Sequence, residues 1–220
     1  MLTVHHLNNS RSQRVIWLLE ELMVPYEVKH YQRDAKTMLA PASLRAVHPL
    51  GKSPIITDGA DTVAETGAIV EYILQKYGQG RLVPAAGTPE KLAYTYWLHF
   101  AEGSAMPPLV MTLLFGEIPK RMPFFIRPVG RLIGKTVQAS FLGPAIDAQL
   151  DLMEATLAKS ANFAGAQLTA ADVMMSFPVE AASSRANLGN RTHLTTWLNT
   201  IHTRPAYQRA LSQGGPYAYA

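Results

Sequence analysis

Cysteine is absent from this chain of 220 residues. That absence excludes disulfides, thiolate metal sites and a protein-borne cysteine nucleophile, so any sulfur chemistry must come from a bound thiol. Charge is sparse as well, at 16% of residues with a formal net charge of +4. The basic residues are scattered along the sequence, which argues against a nucleic-acid partner and suits a small anionic one. The opening residues, MLTVHHLNNSRSQR, hold no long apolar region after a basic start, so no signal peptide is expected. The most apolar stretch, Pro108 to Phe115, falls far short of the ~20 residues needed to cross a bilayer. No internal repeat or low-complexity tract is visible. What is present is a composition 48% hydrophobic, enough for a substantial core in one or two domains.

The first 80 or so residues read as a small α/β unit. Leu2 to Leu7 has strand character, and Asn8, Asn9 and Ser10 form a polar turn rich in helix-capping types. From Ser12, apolar positions Val15, Leu18, Leu19 and Leu22 recur at helical spacing until Pro25. Tyr26 to Tyr31 alternates as a second strand, and a short helix is expected around Ser43 to Val47. Ser53 to Thr57 and Thr62 to Ala64 form a hairpin about Asp58-Gly59. A helix then starts near Glu65 and turns Ile69, Tyr72 and Ile73 inward. The order predicts a mixed four-stranded sheet over residues 1–79. A Gly/Pro-rich linker follows at 80–89, and then an all-α region at 90–220. Within that region a long helix is expected from Pro89 to Phe115, bent at Pro107-Pro108. Further helical patterns cover Met122 to Lys159, Ala170 to Ala186 and Thr192 to Thr203.

Three local features could carry chemistry. Pro54 opens a strand, and its ring removes a ladder donor. A cis Ser53-Pro54 bond would leave the Ser53 backbone free to pair with a peptide-like ligand, whereas an ordinary trans proline is the commoner case. Glu65-Thr66 stands after a strand at a helix start, where a carboxylate and unpaired N–H groups can read an amino-acid head group; a plain capping pair fits equally. In the first turn, Arg11 puts a cation at a helix N-terminus, a penalty that a bound anion would remove; a solvent-exposed Arg11 fits equally.

The segments SRSQRVIWLLEEL, HPLGKSPIITD, AETGAIVEYIL and LTAADVMMSFP, in that order, make the whole chain resemble the soluble, cytosolic-type glutathione transferase superfamily. Ser10-Arg11, His48 to Pro54, Glu102-Gly103-Ser104 and Pro107-Pro108-Leu109 resemble the branch holding some fungal glutathione transferases and bacterial relatives. The resemblance implies a thioredoxin-like α/β domain with Pro54 in the cis form, followed by an all-α domain. It implies that glutathione is the co-substrate and that no metal takes part. Ser53 would then pair with the cysteinyl part, Glu65 and Thr66 would hold the γ-glutamyl head, and Lys52 would meet the glycyl carboxylate. Glu102 would reach a ligand ammonium across a homodimer interface. Leu168 to Asp172 matches the family's capping box, a structural element. A cytoplasmic homodimer that attacks small hydrophobic electrophiles or reduces organic hydroperoxides is the expectation, with a non-catalytic binding module or a glutathione-dependent disulfide reductase as alternatives.

One position departs from the family pattern. Six residues before Val15, where serine-type members carry the activating hydroxyl, stands Asn9, and His5 and His6 occupy the early strand where other classes carry tyrosine. A thiolate needs donors rather than a base, so Ser10, Asn9 and Arg11 are the candidates, in that order. Lowering a thiol pKa by about two units takes roughly 2.7 kcal/mol, within reach of two hydrogen bonds and a helix terminus. The second-substrate pocket is expected between this turn and the long helix, with His99 and Met106 reaching into it.

Overall fold

The computed structural model describes residues 1–219. Strands β1 (Leu2–Leu7), β2 (Tyr26–Tyr31), β3 (Ile55–Asp58) and β4 (Asp61–Ala64) form one mixed sheet in the order β2-β1-β3-β4. β1 and β2 are parallel, with Val4 opposite Val28; β1 and β3, and β3 and β4, are antiparallel, with Val4 opposite Ile56. The two-residue periodicity sorts β1 between two cores. Leu2 and Val4 pack with helices α1 (Ser12–Leu22) and α3 (Thr66–Tyr77), while Leu7 joins Tyr31, Leu44 and Ile55 beneath the short helix α2 (Ala42–Arg45). His5 and His6 therefore face opposite ways, and neither side chain is at the surface. Tyr72, expected to turn inward, is only half-buried: its hydroxyl meets Asp58 and Asp61 at the hairpin.

The remainder is helical: α4 (Pro89–Phe100), α5 (Met106–Arg121), α6 (Arg127–Val137), α7 (Gly143–Leu157), α8 (Ala170–Arg185), α9 (Thr192–His202) and α10 (Pro205–Gly214). α8 forms the central pillar, with its residues from Ala170 to Ala182 all buried. Thr88 caps α4 by accepting from the Lys91 N–H at 3.2 Å, with Pro89 in the first helical position.

The long helix differs from the sequence expectation in where it deforms. It runs on to Arg121, and the irregularity lies at Ala101–Ala105, a π-helical turn before the two prolines. Pro107 and Pro108 lack the N–H groups that would close the preceding α turn. The carbonyl four residues before Pro108, Ser104 O, instead accepts from Gln149 Nε2 at 3.0 Å. The same device recurs at Gln138–Leu142, ahead of Pro144, and divides the stretch expected as one pattern into α6 and α7. Residues 122–126 are a loop, so α6 begins five positions later than the periodicity suggested. α10 escaped sequence reading because, apart from Tyr207, its inward stripe is Ala206, Ala210 and Gly214, small residues that give little hydrophobic signal.

Thr169 and Asp172 close the start of α8 as a capping box. Asp172 accepts from the Thr169 N–H and hydroxyl, both at 2.8 Å, and from the Phe163 N–H at 2.9 Å. Burial pushes the Asp172 carboxyl up, and these three donors pull against that shift. Replacing Asp172 with Ala strands buried donors at the base of the pillar, and the expected cost is about 2–3 kcal/mol, read as a lower urea midpoint.

Candidate active site

The site is built where α1, α3 and the π turn converge. The Ser53-Pro54 bond is cis, and Pro54 is buried at the head of β3. Among the described residues, neither the Ser53 N–H nor its C=O takes part in a hydrogen bond. Ser53 lines a cleft of about 330 Å³ whose walls also include Arg11, Lys52, Glu65, Thr66 and Glu102.

α3 contributes its N-terminus. Glu65 holds φ 71° and ψ 125°, a left-handed conformation costly for a residue with a Cβ. It is exposed, and among the described residues its carboxylate has no partner. Thr66, the first helical residue, is buried, and its hydroxyl oxygen accepts from Arg14 Nη2 at 3.4 Å.

Arg14 organises the floor. Its guanidinium is fully buried and donates to Glu102 and to the Met174 carbonyl at 2.7 Å. That carbonyl is available because Pro178, four residues on, has no N–H to offer it. Arg11 Nε donates to both oxygens of Glu102 at 3.0 Å, and both guanidinium groups lie over the Phe177 ring, at 5.2 and 5.3 Å. Burial opposes ionisation of Glu102, but the two arginines outweigh it and hold the carboxyl below its ordinary value. Two cations against one carboxylate leave the floor with a surplus positive charge. The π turn presents Glu102 to them, a role that helical periodicity does not reveal.

The first turn is arranged differently from expectation. Asn9, at φ 49°, turns its Oδ1 to the Ala218 N–H at 2.9 Å, so it clamps the C-terminal segment rather than facing the cleft. Ser10 is buried and donates to Ser53 Oγ at 3.2 Å; Ser53 in turn donates to the His5 carbonyl at 3.0 Å. Ser10 Oγ also lies 2.7 Å from Ser12 Oγ, which lies 2.9 Å from His6 Nδ1. Burial, with the neighbouring His30, pushes the His6 imidazole down to about 4, so it is neutral near pH 7. Of the three candidates, Arg11 alone lines the cleft, and Ser10 reaches it through Ser53.

The cleft brings together Arg11, Lys52, Ser53, Pro54, Glu65, Thr66 and Glu102. It does not include His99, which is exposed, or Met106, which is in the core at 2% exposure. The helical period explains both: His99 falls on the outer face of α4, and Met106 follows the π turn on its inner face. Sequence reading passed over His48, Leu50 and Val110 as wall residues, although the first two belong to the HPLGKSP run.

Comparison with known proteins agrees with this geometry. Residues 1–75 match the family model described as glutathione S-transferase, N-terminal domain. The chain is 37% identical to glutathione S-transferase 3 of Schizosaccharomyces pombe over 94% of its own length and 85% of the relative's. It belongs to the glutathione S-transferase family. Glutathione S-transferase 1 of Saccharomyces cerevisiae is 30% identical across 94% of this chain and 92% of that one. A crystal structure of a glutathione S-transferase from Actinobacillus pleuropneumoniae aligns at a TM-score of 0.82 with 31% identity, covering 100% of this chain and 95% of the other. Within this glutathione S-transferase fold, the four-stranded mixed sheet and helical remainder agree with the sequence expectation. Among the described residues no helix is long and apolar enough to cross a membrane.

Removing the Glu102 carboxylate leaves Arg14 buried without its counter-charge. Glu102→Ala is expected to lower stability by about 2–3 kcal/mol, below the full penalty of a buried pair because Glu102 is a third exposed. The sign of its pH dependence follows from a folded-state pKa below the unfolded one. The stability Glu102 contributes is complete above its ordinary value of 4.5 and is lost as pH falls through the lower folded value. Urea midpoints of wild type and Glu102→Gln should therefore differ most near neutrality and converge in acid.

Proposed function

We propose that this protein is a glutathione transferase that holds the tripeptide in the cleft beside Pro54 and stabilises its thiolate. The observation that carries the reading is the unpaired backbone of Ser53, which lines the same cleft as the N-terminus of α3. A peptide-like ligand satisfies both Ser53 groups as an added strand would. The Glu65 carboxylate accepts the γ-glutamyl ammonium. The Thr66 N–H and hydroxyl, at the positive end of α3, take the adjacent carboxylate. Lys52, exposed at the rim, suits the glycyl carboxylate.

The thiol proton leaves to solvent, and the thiolate is stabilised by the N-terminus of α1 together with the surplus positive charge of Arg11, Arg14 and Glu102. This geometry favours Arg11 over Ser10 and Asn9 as the residue nearest the sulfur. Ser10 acts as a positioning residue by fixing Ser53. The thiolate then attacks an electrophilic carbon to form a thioether, displacing a leaving group or adding to an activated double bond. With an organic hydroperoxide, the sulfur attacks the O–O bond and releases an alcohol. A second glutathione then condenses with the resulting sulfenic acid to give the disulfide and water. The family resemblance supports a homodimer, a cytoplasmic location and two domains, residues 1–79 and 90–220, joined through 80–89. Within this chain Glu102 is already engaged by Arg11 and Arg14, so its service to a ligand would be shared with them.

The burial of Ser10 and the diversion of Asn9 favour one second reading, a module that binds glutathione without turning it over. Calorimetry with glutathione, and the thiolate ultraviolet band followed against pH, distinguish the two. The expected result is binding with the thiol pKa lowered by about two units, whereas binding with an unshifted thiol supports the second reading. Thr66→Val should weaken glutathione binding about 10- to 100-fold, the worth of a hydrogen bond to a charged group. Arg11→Met should act chiefly on kcat, moving its pH profile to higher pH while glutathione affinity changes less.

A further inference from the structure

The helical region carries a second feature that the glutathione cleft does not use. At the tip where α5 turns into α6, large apolar side chains stand in solvent: Phe124 is 79% exposed, Phe125 68%, Leu132 65% and Val129 58%. Ile118, Ile126 and Ile133 extend the same exposed region. On α6 the period of 3.6 gathers Val129, Leu132 and Ile133 on one stripe and Arg127, Arg131 and Lys135 on another, while Gly130 is buried. Lys120 and Arg121 close α5 just before the turn. From Ile118 to Ile146 the sequence holds these five cations and no acidic residue. All five are exposed, and Lys120 alone has a carboxylate partner among the described residues, Glu117 at 2.6 Å. Five of the chain's 20 lysines and arginines thus cluster within residues 120–135, around one apolar tip.

We propose that this tip docks the protein on an anionic lipid surface. The apolar stripe and the two phenylalanines enter the boundary between headgroups and acyl chains, and the arginine and lysine stems reach up to the phosphates. Charge selects this occupant. A second copy applying the same tip would set one uncompensated cationic cluster against another, whereas an anionic bilayer complements it. An exposed apolar patch ringed by one sign of charge is the pattern expected of a surface that must find water and membrane in turn. Attachment is peripheral, by a helix lying in the interface plane.

The test is co-sedimentation of the full chain with vesicles of phosphatidylcholine containing phosphatidylglycerol, against vesicles of phosphatidylcholine alone. The expected result is binding to the anionic vesicles only, weakening as salt is raised. F124S/F125S should abolish binding. R121Q/R127Q/R131Q should lower affinity by roughly 100-fold, about fivefold for each cation removed. These residues are exposed and remote from the cleft, so glutathione binding and thermal midpoint should stay at wild-type values in both variants. The proposal is overturned if anionic vesicles bind no better than neutral ones, or if both variants bind as wild type does. It is equally overturned if no vesicle binds and F124S/F125S instead dissociates an oligomer in analytical ultracentrifugation, which would make the tip a contact between copies.

Discussion

The guanidinium of Arg14 joins four pieces of chain. It belongs to α1 and donates to Glu102 of the π turn, to the Thr66 hydroxyl at the head of α3 and to the Met174 carbonyl in α8. A buried cation is costly unless it is paired and hydrogen-bonded; here Nη1 and Nη2 reach the three distant partners, and Nε has none among the described residues. The sheet-bearing part and the helical part are thereby fixed relative to each other at the cleft itself. Glu102 and Thr66 are wall residues, so the contact that orders the core also sets the spacing of the site.

Proline supplies the other half of this arrangement. In each of two helices, a proline removes a donor and so frees a carbonyl one turn earlier, and a side chain from elsewhere collects it. Pro178 frees Met174 O for Arg14, and Pro108 frees Ser104 O for Gln149. Each π turn stands just before a proline or a Gly-Pro pair, so the local underwinding follows from the same missing N–H. Residues that would count as helix breakers in isolation act here as the attachment points of tertiary structure.

Much of this was legible in the sequence, and the limits have physical causes. Strand and helix periodicity placed the sheet and α1, α3 and α9, because each buries an apolar stripe, and α8 by its capping box and the apolar run that follows it. The cis bond followed from the resemblance, as residues alone could not choose between isomers at Pro54. Glu65, Thr66, Lys52 and Ser53 were found because they are neighbours in sequence, near a strand end and a helix start. The roles of Asn9 and Arg14 were not. Asn9 is claimed by Ala218 and Arg14 by Met174, partners roughly 200 and 160 positions away that no local pattern foretells. His99 stands on the outer face of α4, and Met106 on the inner face of α5 just after the π turn, so neither reaches the cleft.

The clamp between Asn9 and Ala218 also has a temporal side. Tyr217 donates to the buried carboxylate of Glu180 at 2.5 Å, and one residue later the Ala218 N–H seats on the turn that opens α1. During synthesis the sheet, the cis-proline loop and α3 can be made and folded early. The turn that opens α1 stays without its clamp until translation has run a further 140 residues or so past α3. A ribosome-bound chain could therefore own every cleft residue and still lack the contact from Ala218 that settles the first turn.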